Sequence, residues 1–234
     1  MKFETYSYTN TGGCIPNEDA SAYCSDDFRC LWVLCDGLGG HADGEQASNS
    51  AVDTMLEKFS SGSLQEHQDL SPIIEQVNQI VRSLCGPLTT IVTAYYKNGA
   101  ISIANVGDSR LYFFRNHKLV SVTTDHSVAF ADYYMQKIKY GDIRFHPDRS
   151  SLMKALGIKE PIGVQCYPSF QVFPGDAFLL CSDGFWEYVF EPEMEIDLIK
   201  SESPEIWVDH MLKRAAARIP SDNDNMTVLA VFAQ

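Results

Sequence analysis

Residues 30–41 read CLWVLCDGLGGH, an unbroken apolar run that stops at an aspartate followed by glycines. A short run of this kind predicts a β-strand that is buried on both faces. A second run, AFLLC at residues 177–181, is followed after one serine by another aspartate. We therefore expect Asp36 and Asp183 to emerge at the rim of a buried sheet, beside glycines that let a ligand approach the backbone.

The remaining apolar segments are also short and are separated by turn residues, which is typical of β-rich domains. Asn98-Gly99 between two such segments is a strong hairpin signal, and Asn116-His117 indicates a second hairpin. The predicted strands are Phe3–Thr9, Cys30–Cys35, Thr90–Tyr96, Ala100–Val106, Leu111–Phe114, Leu119–Thr123, Val164–Phe173, Ala177–Cys181 and Met226–Phe232.

Helical periodicity appears in four further segments. Two of them open with a Ser-Pro pair, Ser71-Pro72 and Ser203-Pro204, which predicts an N-cap followed by proline at the first helical position. Many hairpins with few βαβ units indicate an α+β fold, in which antiparallel sheets carry helices on their outer faces. The predicted helices are Glu45–Phe59, Ser71–Leu84, Val128–Lys139 and Ser203–Ile219.

The chain has 234 residues, of which 45% are hydrophobic, enough for a core that folds unaided. No break in composition marks a linker, so we predict one domain over residues 1–234. The formal net charge of −13 makes nucleic acid and anionic membrane poor partners, because both bind through clustered basic residues. The excess of carboxylates supports solubility, and it also fits a cluster that awaits cations.

Seven cysteines occur without a C-x-x-C pair, which fits neither a zinc site nor a disulfide framework. The N-terminal residues MKFETYSYTNTGG lack the apolar stretch of a signal peptide, and no apolar run is long enough to span a bilayer. A reducing cytoplasm is the expected compartment.

Five segments place aspartate after an apolar run or in a tight turn. Each alone is ordinary turn chemistry, but together they supply oxygen ligands without a convergent cluster of histidine or cysteine. Hard cations such as Mg²⁺ and Mn²⁺ prefer oxygen ligands. Two such ions that share a carboxylate would lower the pKa of a water between them, which is hydrolytic chemistry directed at phosphorus. The five segments are Asn17-Glu18-Asp19, DGLGGH at 36–41, GDSR at 107–110, Ser182-Asp183-Gly184 and DNDN at 222–225.

Seven segments, taken in order from about residue 5 to the C-terminus, resemble the metal-dependent Ser/Thr protein phosphatases of type 2C, particularly their compact bacterial form. Any one of them occurs by chance, whereas all seven in order across one domain-sized chain do not. They are Asn17-Glu18-Asp19, DGLGGH at 36–41, ANVGDSR at 104–110, TTDHS at 123–127, HPDRSSLMKALG at 146–157, CSDGFWE at 181–187 and DNDNMTV at 222–228.

The resemblance implies a four-layer α-β-β-α sandwich of two antiparallel sheets flanked by helices. It implies two divalent cations, Mn²⁺ or Mg²⁺, with a third at a weaker position. The implied activity is hydrolysis of phosphoserine and phosphothreonine in the protein substrates of a Ser/Thr kinase, by in-line attack of a hydroxide shared by the paired ions. A mobile flap at about residues 128–149 would influence substrate choice.

The same resemblance implies that most of the motifs contribute metal-ligating residues. Asp36, Asp183 and Asp224 would hold the attacking water through the ions. The implied metal ligands are Asp36, which would bridge both ions, the carbonyl of Gly37, Asp183 and Asp224 on the first ion, Asp19 with Glu18 beside it as ligand or holder of bound waters, and Asp108 with Asp183 at the third position.

Cys14 stands where members of this family usually carry an arginine that grips the substrate phosphate. A thiol cannot make the bidentate, charge-assisted bonds of a guanidinium. We therefore expect weaker substrate binding unless another basic group, such as Arg110 or Lys154, reaches the site. Lys154 itself replaces a usual arginine. His41 and His126 lie near the motifs, although a lone histidine is more often structural than catalytic.

Two other function classes stay open. A catalytically weak regulatory module that binds phosphoproteins through a phosphatase fold is best supported by Cys14, and the intact Asp36, Asp183 and Asp224 count against it. A two-metal nuclease or phosphodiesterase is opposed by the acidic balance and the absence of a basic stripe. We expect the chain to act as a monomer.

Overall fold

The computed structural model describes residues 1–39, 42–64, 69–159 and 161–234. Within these ranges, strands form two antiparallel sheets that pack face to face, with helices on the outer face of each. This arrangement confirms the predicted four-layer α-β-β-α sandwich. The strands are β1 (Phe3–Asn10), β2 (Asp19–Ser25), β3 (Arg29–Leu38), β4 (Leu88–Thr89), β5 (Ile91–Lys97), β6 (Ala100–Val106), β7 (Arg110–Arg115), β8 (Lys118–Val122), β9 (Gln165–Gln171), β10 (Ala177–Cys181) and β11 (Met226–Ala233).

The helices lie between and after these strands. They are α1 (Ala42–Ser60), α2 (Ser71–Ser83), α3 (Val128–Tyr134), α4 (Asp183–Trp186), α5 (Glu191–Ile199) and α6 (Pro204–Ala215), with a 3₁₀ helix at Tyr140–Phe145. In the part of the chain that the structure describes, none of the helices is long and apolar enough to cross a lipid bilayer.

The two sheets have different strand orders. One sheet runs β1-β11-β10-β7-β8, and the other runs β2-β3-β5-β6-β9, with β4 paired to β3. Both predicted hairpins are confirmed, since β5 pairs with β6 through Lys97 and Ala100, and β7 pairs with β8 through Arg115 and Lys118.

Strand β10 shows why the central strands are apolar without interruption. Phe178 and Leu180 point into the layer between the sheets, whereas Leu179 and Cys181 point into the layer beneath α5 and α6. Because successive side chains of a strand face opposite sides, a central strand of this sandwich buries both sets. The run at residues 30–35 behaves in the same way in β3.

The outer helices bury one face each. In α1, Ala47, Ala51, Met55 and Phe59 recur at every fourth position and pack against the sheet that contains β3. This spacing places them on one side of the helix. The opposite outer layer is anchored by Trp207 of α6, which is fully buried.

Among the helix predictions, one N-cap was confirmed, whereas one N-cap and one helix end were wrong. Ser203 does cap α6, since its Oγ accepts a hydrogen bond from Ile206 N at 3.3 Å. Ser71, however, is the first residue of α2 and caps nothing, and its Oγ lies 3.1 Å from the Cys166 sulfur. The predicted helix Val128–Lys139 ends at Tyr134, because Gln136 has a φ of 60° and a left-handed residue cannot continue a right-handed helix.

Candidate functional site

Carboxylates from five separate segments line one cleft of about 490 Å³. The cleft lies where β2 and β3 of one sheet approach the loops that follow β6 and β10 and precede β11. The carboxylates of the lining are Glu18, Asp36, Asp108, Asp183 and Asp224. Asp19, the remaining acidic residue of the predicted set, is buried and does not line this cleft.

Asp19 and Asp36 are brought together by the register of β2 and β3, in which they are direct partners. Side chains at such paired positions lie close, with Cβ atoms about 5 Å apart, and like charges there repel. The carboxylate of Asp19 is held in place by Ser182, whose Oγ donates a hydrogen bond to Asp19 Oδ2 at 2.8 Å. Ser182 therefore links Asp19 to the loop that carries Asp183.

The backbone of Asp36 is fixed by two threonines that the sequence did not single out. Asp36 N donates to Thr90 Oγ1 at 2.9 Å, and Asp36 O accepts from Thr89 Oγ1 and Thr90 N, each at 2.8 Å. Thr90 Oγ1 also lies 2.7 Å from Ser109 Oγ. These bonds connect the end of β3 to the loop that carries Asp108.

Asp183 and Asp224 approach each other because β10 and β11 are antiparallel neighbours. Asp183 follows the end of β10 closely, and Asp224 precedes the start of β11. Asn225, next to Asp224, accepts a hydrogen bond from Glu18 N through its Oδ1 at 2.8 Å. The amide side chain of Asn225 therefore ties the β11 segment to the segment that carries Glu18 and Asp19.

Asp108 lies in the turn between β6 and β7. Its carbonyl accepts a hydrogen bond from Trp186 Nε1 of α4 at 3.0 Å. The preceding Gly107 donates its backbone N–H to His126 Nδ1 at 3.1 Å. Burial and Lys154 lower the pKa of His126 to about 4, so the ring is neutral near pH 7. His126 is a structural anchor for this turn, and His41 lies outside the described residues.

Burial raises the pKa values of four carboxyl groups here, those of Asp19, Asp36, Asp108 and Asp183. For Asp36 the pKa is raised well above its ordinary value, first by burial and then by Asp19 and Asp183. The pKa of Asp183 is raised in the same direction by burial and by Asp108 and Asp224. Burial raises the pKa of Asp19 to about 6 and that of Asp108 to about 7. The cluster is therefore poorly neutralised by the protein alone.

The donor set fits hard divalent cations. Asp19 Oδ1 and Asp183 Oδ1 are buried without a hydrogen-bond partner in the described part of the protein. A side chain at Gly37 would collide with the backbone of Gly44, so the Gly37 backbone lies tightly packed beside Asp36. No three His, Cys, Asp or Glu side chains of the described ranges surround a single point as a preformed site. Ions that keep several waters, such as Mg²⁺, need few protein ligands each and suit this arrangement.

The protein phosphatase 2C family model matches residues 12–223. The chain belongs to the protein phosphatase 2C family. Serine/threonine phosphatase stp of Listeria monocytogenes serotype 4b is 33% identical over 229 residues, covering 92% of this chain and 89% of the relative. Serine/threonine phosphatase Stp1 from Staphylococcus aureus has a TM-score of 0.87 at 29% identity, with 100% of this chain and 96% of that one covered.

A further solved structure shares the fold at lower identity. The catalytic domain of the serine/threonine protein phosphatase PstP, determined in complex with two manganese ions, has a TM-score of 0.78 at 21% identity, with 98% of this chain and 97% of that one covered. Together these findings confirm the resemblance that the seven sequence motifs indicated.

The basic side chain that the family resemblance predicts at the substrate phosphate is not found among the described residues of this cleft. Among the described residues that line it, none is basic. Cys14 lines the cleft and is exposed, and partial loss of water around its thiol, together with Asp224, raises the thiol pKa, so the thiol is neutral. Neither basic residue considered from the sequence replaces the arginine. Arg110 is buried against Asp125, and Lys154 Nζ donates to the Gly163 carbonyl at 2.7 Å.

Arg149 is a basic residue beside the carboxylates that sequence reasoning missed. It lines a second cleft of about 340 Å³, which shares Asp183 and Asp224 with the first. Arg149 Nε donates to Glu187 Oε1 at 2.6 Å. Arg149 belongs to the motif HPDRSSLMKALG, and that motif was the available signal.

Proposed function

We propose that this chain hydrolyses phosphoserine and phosphothreonine in proteins and depends on divalent cations. The observation that carries the proposal is one cleft lined by carboxylates from five segments, in which burial and neighbouring carboxylates raise the pKa values of Asp36 and Asp183. Glu18, Asp108 and Asp183 are buried, and like charges so close together are unfavourable unless cations neutralise them. Membership of the protein phosphatase 2C family supports the reaction class.

The proposed ion site contains two cations, Mn²⁺ or Mg²⁺, and a third at a weaker position. The two manganese ions of the PstP catalytic domain support the proposed pair of cations. The residues that would hold them are Asp36, the Gly37 carbonyl, Asp183, Asp224, Asp19 with Glu18 beside it, and Asp108 with Asp183 for the third ion.

Bound cations would lower the pKa of a water and offset the charge of a phosphate, which is the chemistry that phosphomonoester hydrolysis requires. The protein holds the carboxylates in place through Thr90, Ser182 and Asn225. In the proposed reaction Arg149 leaves Glu187 and binds the substrate phosphate, because a guanidinium makes bidentate bonds to phosphate. We do not assign the role of acid to His126, because burial lowers the pKa of its ring and its Nδ1 accepts a hydrogen bond from Gly107 N.

The physiological setting is part of the proposal. The substrates are phosphoproteins made by a Ser/Thr kinase, and residues 128–149 form a flap whose continuation, Ser150 and Leu152, lines the cleft. The seven cysteines of the described ranges are all unpaired, which supports a reducing cytoplasm.

The test is metal-dependent release of phosphate from a phosphothreonine peptide. We expect turnover with Mn²⁺ or Mg²⁺, loss of turnover with EDTA, and a much slower reaction with the matched phosphotyrosine peptide. The Asp183→Asn variant serves as the inactive control. Faster hydrolysis of bis-p-nitrophenyl phosphate than of the peptide would instead identify a phosphodiesterase.

The rival function, a weak regulatory module, rests on Cys14 in the cleft. It predicts that wild-type protein binds the phosphothreonine peptide and releases no phosphate above the Asp183→Asn control. Turnover that exceeds this control and requires metal would exclude it.

A further inference from the structure

Beside its carboxylates, the cleft is lined by four apolar residues, Ile15, Pro16, Leu38 and Leu152, which we call the apolar rim. Ile15 is 89% exposed. Single exposed apolar side chains are normal on protein surfaces. Here the exposed Ile15 and the partly exposed Pro16, Leu38 and Leu152 come from three segments and line the same acidic cleft, next to the place where the phosphate would bind.

The loop that carries Ile15 is fixed to the β11 segment. Asn225 Nδ2 donates to the carbonyls of Thr11 at 2.8 Å and Cys14 at 3.1 Å. A side chain at Gly12, where φ is 59°, would collide with the carbonyl of Asp224, so the loop lies directly against that segment. Ile15 therefore projects from a loop whose backbone is tied down on both sides of Gly13.

The other two rim segments are fixed as well. Leu38 is the last residue of β3 and pairs with Leu88 of β4. Leu152 forms a β-bridge with Ser127, which is the N-cap residue of α3. A surface whose backbone is already ordered loses little conformational entropy when it binds a ligand. The apolar rim is preorganised for contact with a second chain.

The occupant follows from the position of the rim. A phosphoserine or phosphothreonine bound among the carboxylates would lie in the same cleft as Ile15, Leu38 and Leu152, so we expect its neighbouring residues to contact them. Cations held by the carboxylates would offset their charge, and the rim that those neighbours would contact is uncharged. We propose that the rim selects substrates with an apolar side chain next to the phosphorylated residue. This inference rests on the proposed phosphatase function.

The experiment compares two phosphothreonine peptides with isoleucine or with serine on both sides of the phosphorylated residue. We expect wild-type protein with Mn²⁺ to show about fivefold higher kcat/KM for the isoleucine peptide, the size of one partly buried aliphatic contact. In the Ile15→Ser variant this ratio should fall to about twofold or less. Val120→Ser, which removes an exposed aliphatic side chain of β8 outside both clefts, should leave the ratio unchanged.

The possible results distinguish a failure of this inference from a failure of the proposed phosphatase function. Equal kcat/KM for the two peptides, or an unchanged ratio in Ile15→Ser, overturns the apolar rim while the phosphatase function stands. An arginine-flanked peptide that exceeds the isoleucine peptide overturns it in favour of charge recognition. If wild-type protein releases no phosphate from either peptide or from p-nitrophenyl phosphate, the proposed function fails and the inference fails with it.

Discussion

Two charged clusters lie side by side in this protein, one buried and one lining a cleft, and they are neutralised differently. Arg110 donates to both carboxylate oxygens of Asp125, at 2.9 and 2.6 Å, and to the hydroxyl of Tyr112 at 2.9 Å. Its guanidinium also lies 3.5 Å from the centre of the Trp186 ring. The acidic cleft around Asp36, in contrast, is lined by no basic residue of the described ranges.

This difference distinguishes a charged cluster that stabilises the fold from one that serves function. A buried charge with all its partners in the chain supports the fold, whereas a group of like charges without such partners is retained for a ligand. The clusters meet at Trp186, whose ring covers Arg110 and whose Nε1 bonds to the Asp108 carbonyl. The neutralised cluster thereby positions one edge of the cluster that we propose binds cations.

The largest expected effect comes from removing the central carboxylate. Asp36→Asn should reduce Mn²⁺-dependent phosphate release more than about 100-fold, because changes in the outer shell of a metal site already cost 10–100-fold. The metal-free variant should unfold at a higher temperature than metal-free wild type, since one repelling charge is gone. Thermal unfolding in EDTA checks this second point, and a variant with full activity would remove Asp36 from the site.

The neutralised cluster should respond in the opposite direction. Asp125→Ala leaves the Arg110 charge buried without its main partner and should cost about 3–5 kcal/mol of unfolding free energy. Urea unfolding of metal-free protein measures this loss. The matched control is Lys118→Ala, which removes the exposed ion pair to Glu195 and should cost less than about 1 kcal/mol. Equal losses in the two variants would refute the comparison.

The metal-free protein should lose stability as pH rises. The folded-state pKa values of Asp19, about 6, and Asp108, about 7, exceed the ordinary value of 3.8. The folded state therefore binds more protons than the unfolded state, and these groups stabilise it fully below about pH 4 and progressively less up to pH 7. Melting temperatures in EDTA should fall from pH 5 to pH 8.

Manganese should change that pH dependence, because cations bind the deprotonated carboxylates. With saturating Mn²⁺, the melting temperature should stay level or rise over the same pH range. A metal-free melting temperature that rises towards pH 8 would contradict the raised pKa values of the cluster.

Removing Arg149, the basic residue of the adjoining cleft, sharpens the comparison further. Arg149→Ala should raise KM for a phosphothreonine peptide about tenfold with a smaller change in kcat, because a charge-assisted hydrogen bond to phosphate is lost. Glu187→Gln, which frees Arg149 from its partner, is the matched control and should not raise KM. An unchanged KM in Arg149→Ala would show that Arg149 does not contact the substrate.

The smallest effect should follow from introducing a basic side chain into the acidic cleft. Cys14→Arg should raise kcat/KM on phosphopeptides about threefold to tenfold, mainly through KM. Steady-state kinetics of the variant and of a Cys14→Ser control measure the gain. No gain would indicate that Arg149 already supplies the phosphate contact, or that position 14 lies away from the substrate.

The sequence predicted those features that depend on local pattern. Unbroken apolar runs identified β3 and β10, and the aspartates that follow them indeed line one cleft. β2 was missed because DASAYCS has neither an apolar run nor clear alternation, and its strand conformation depends on pairing with β3. Helix α5 was missed as well, since its nine residues carry only a short apolar face.

The parts of the site that could not be predicted depend on tertiary contacts. Nothing in the spacing of Arg110 and Asp125 shows that they pair behind the cleft, so Arg110 was considered as a phosphate ligand. The roles of Thr90 and Asn225 arise from bonds to residues 54 and 207 positions away. Such contacts follow from the packed fold and leave no periodic trace in the chain.

The central claim is that the acidic cleft is completed by cations. Anomalous X-ray diffraction at the manganese edge, from a crystal grown with Mn²⁺, tests it most directly. The account predicts two strong peaks in the cleft, with Asp36 between them and Asp183 and Asp224 on the same ion. A cleft without manganese, or with Asp36, Asp183 and Asp224 turned away from each other, would contradict it.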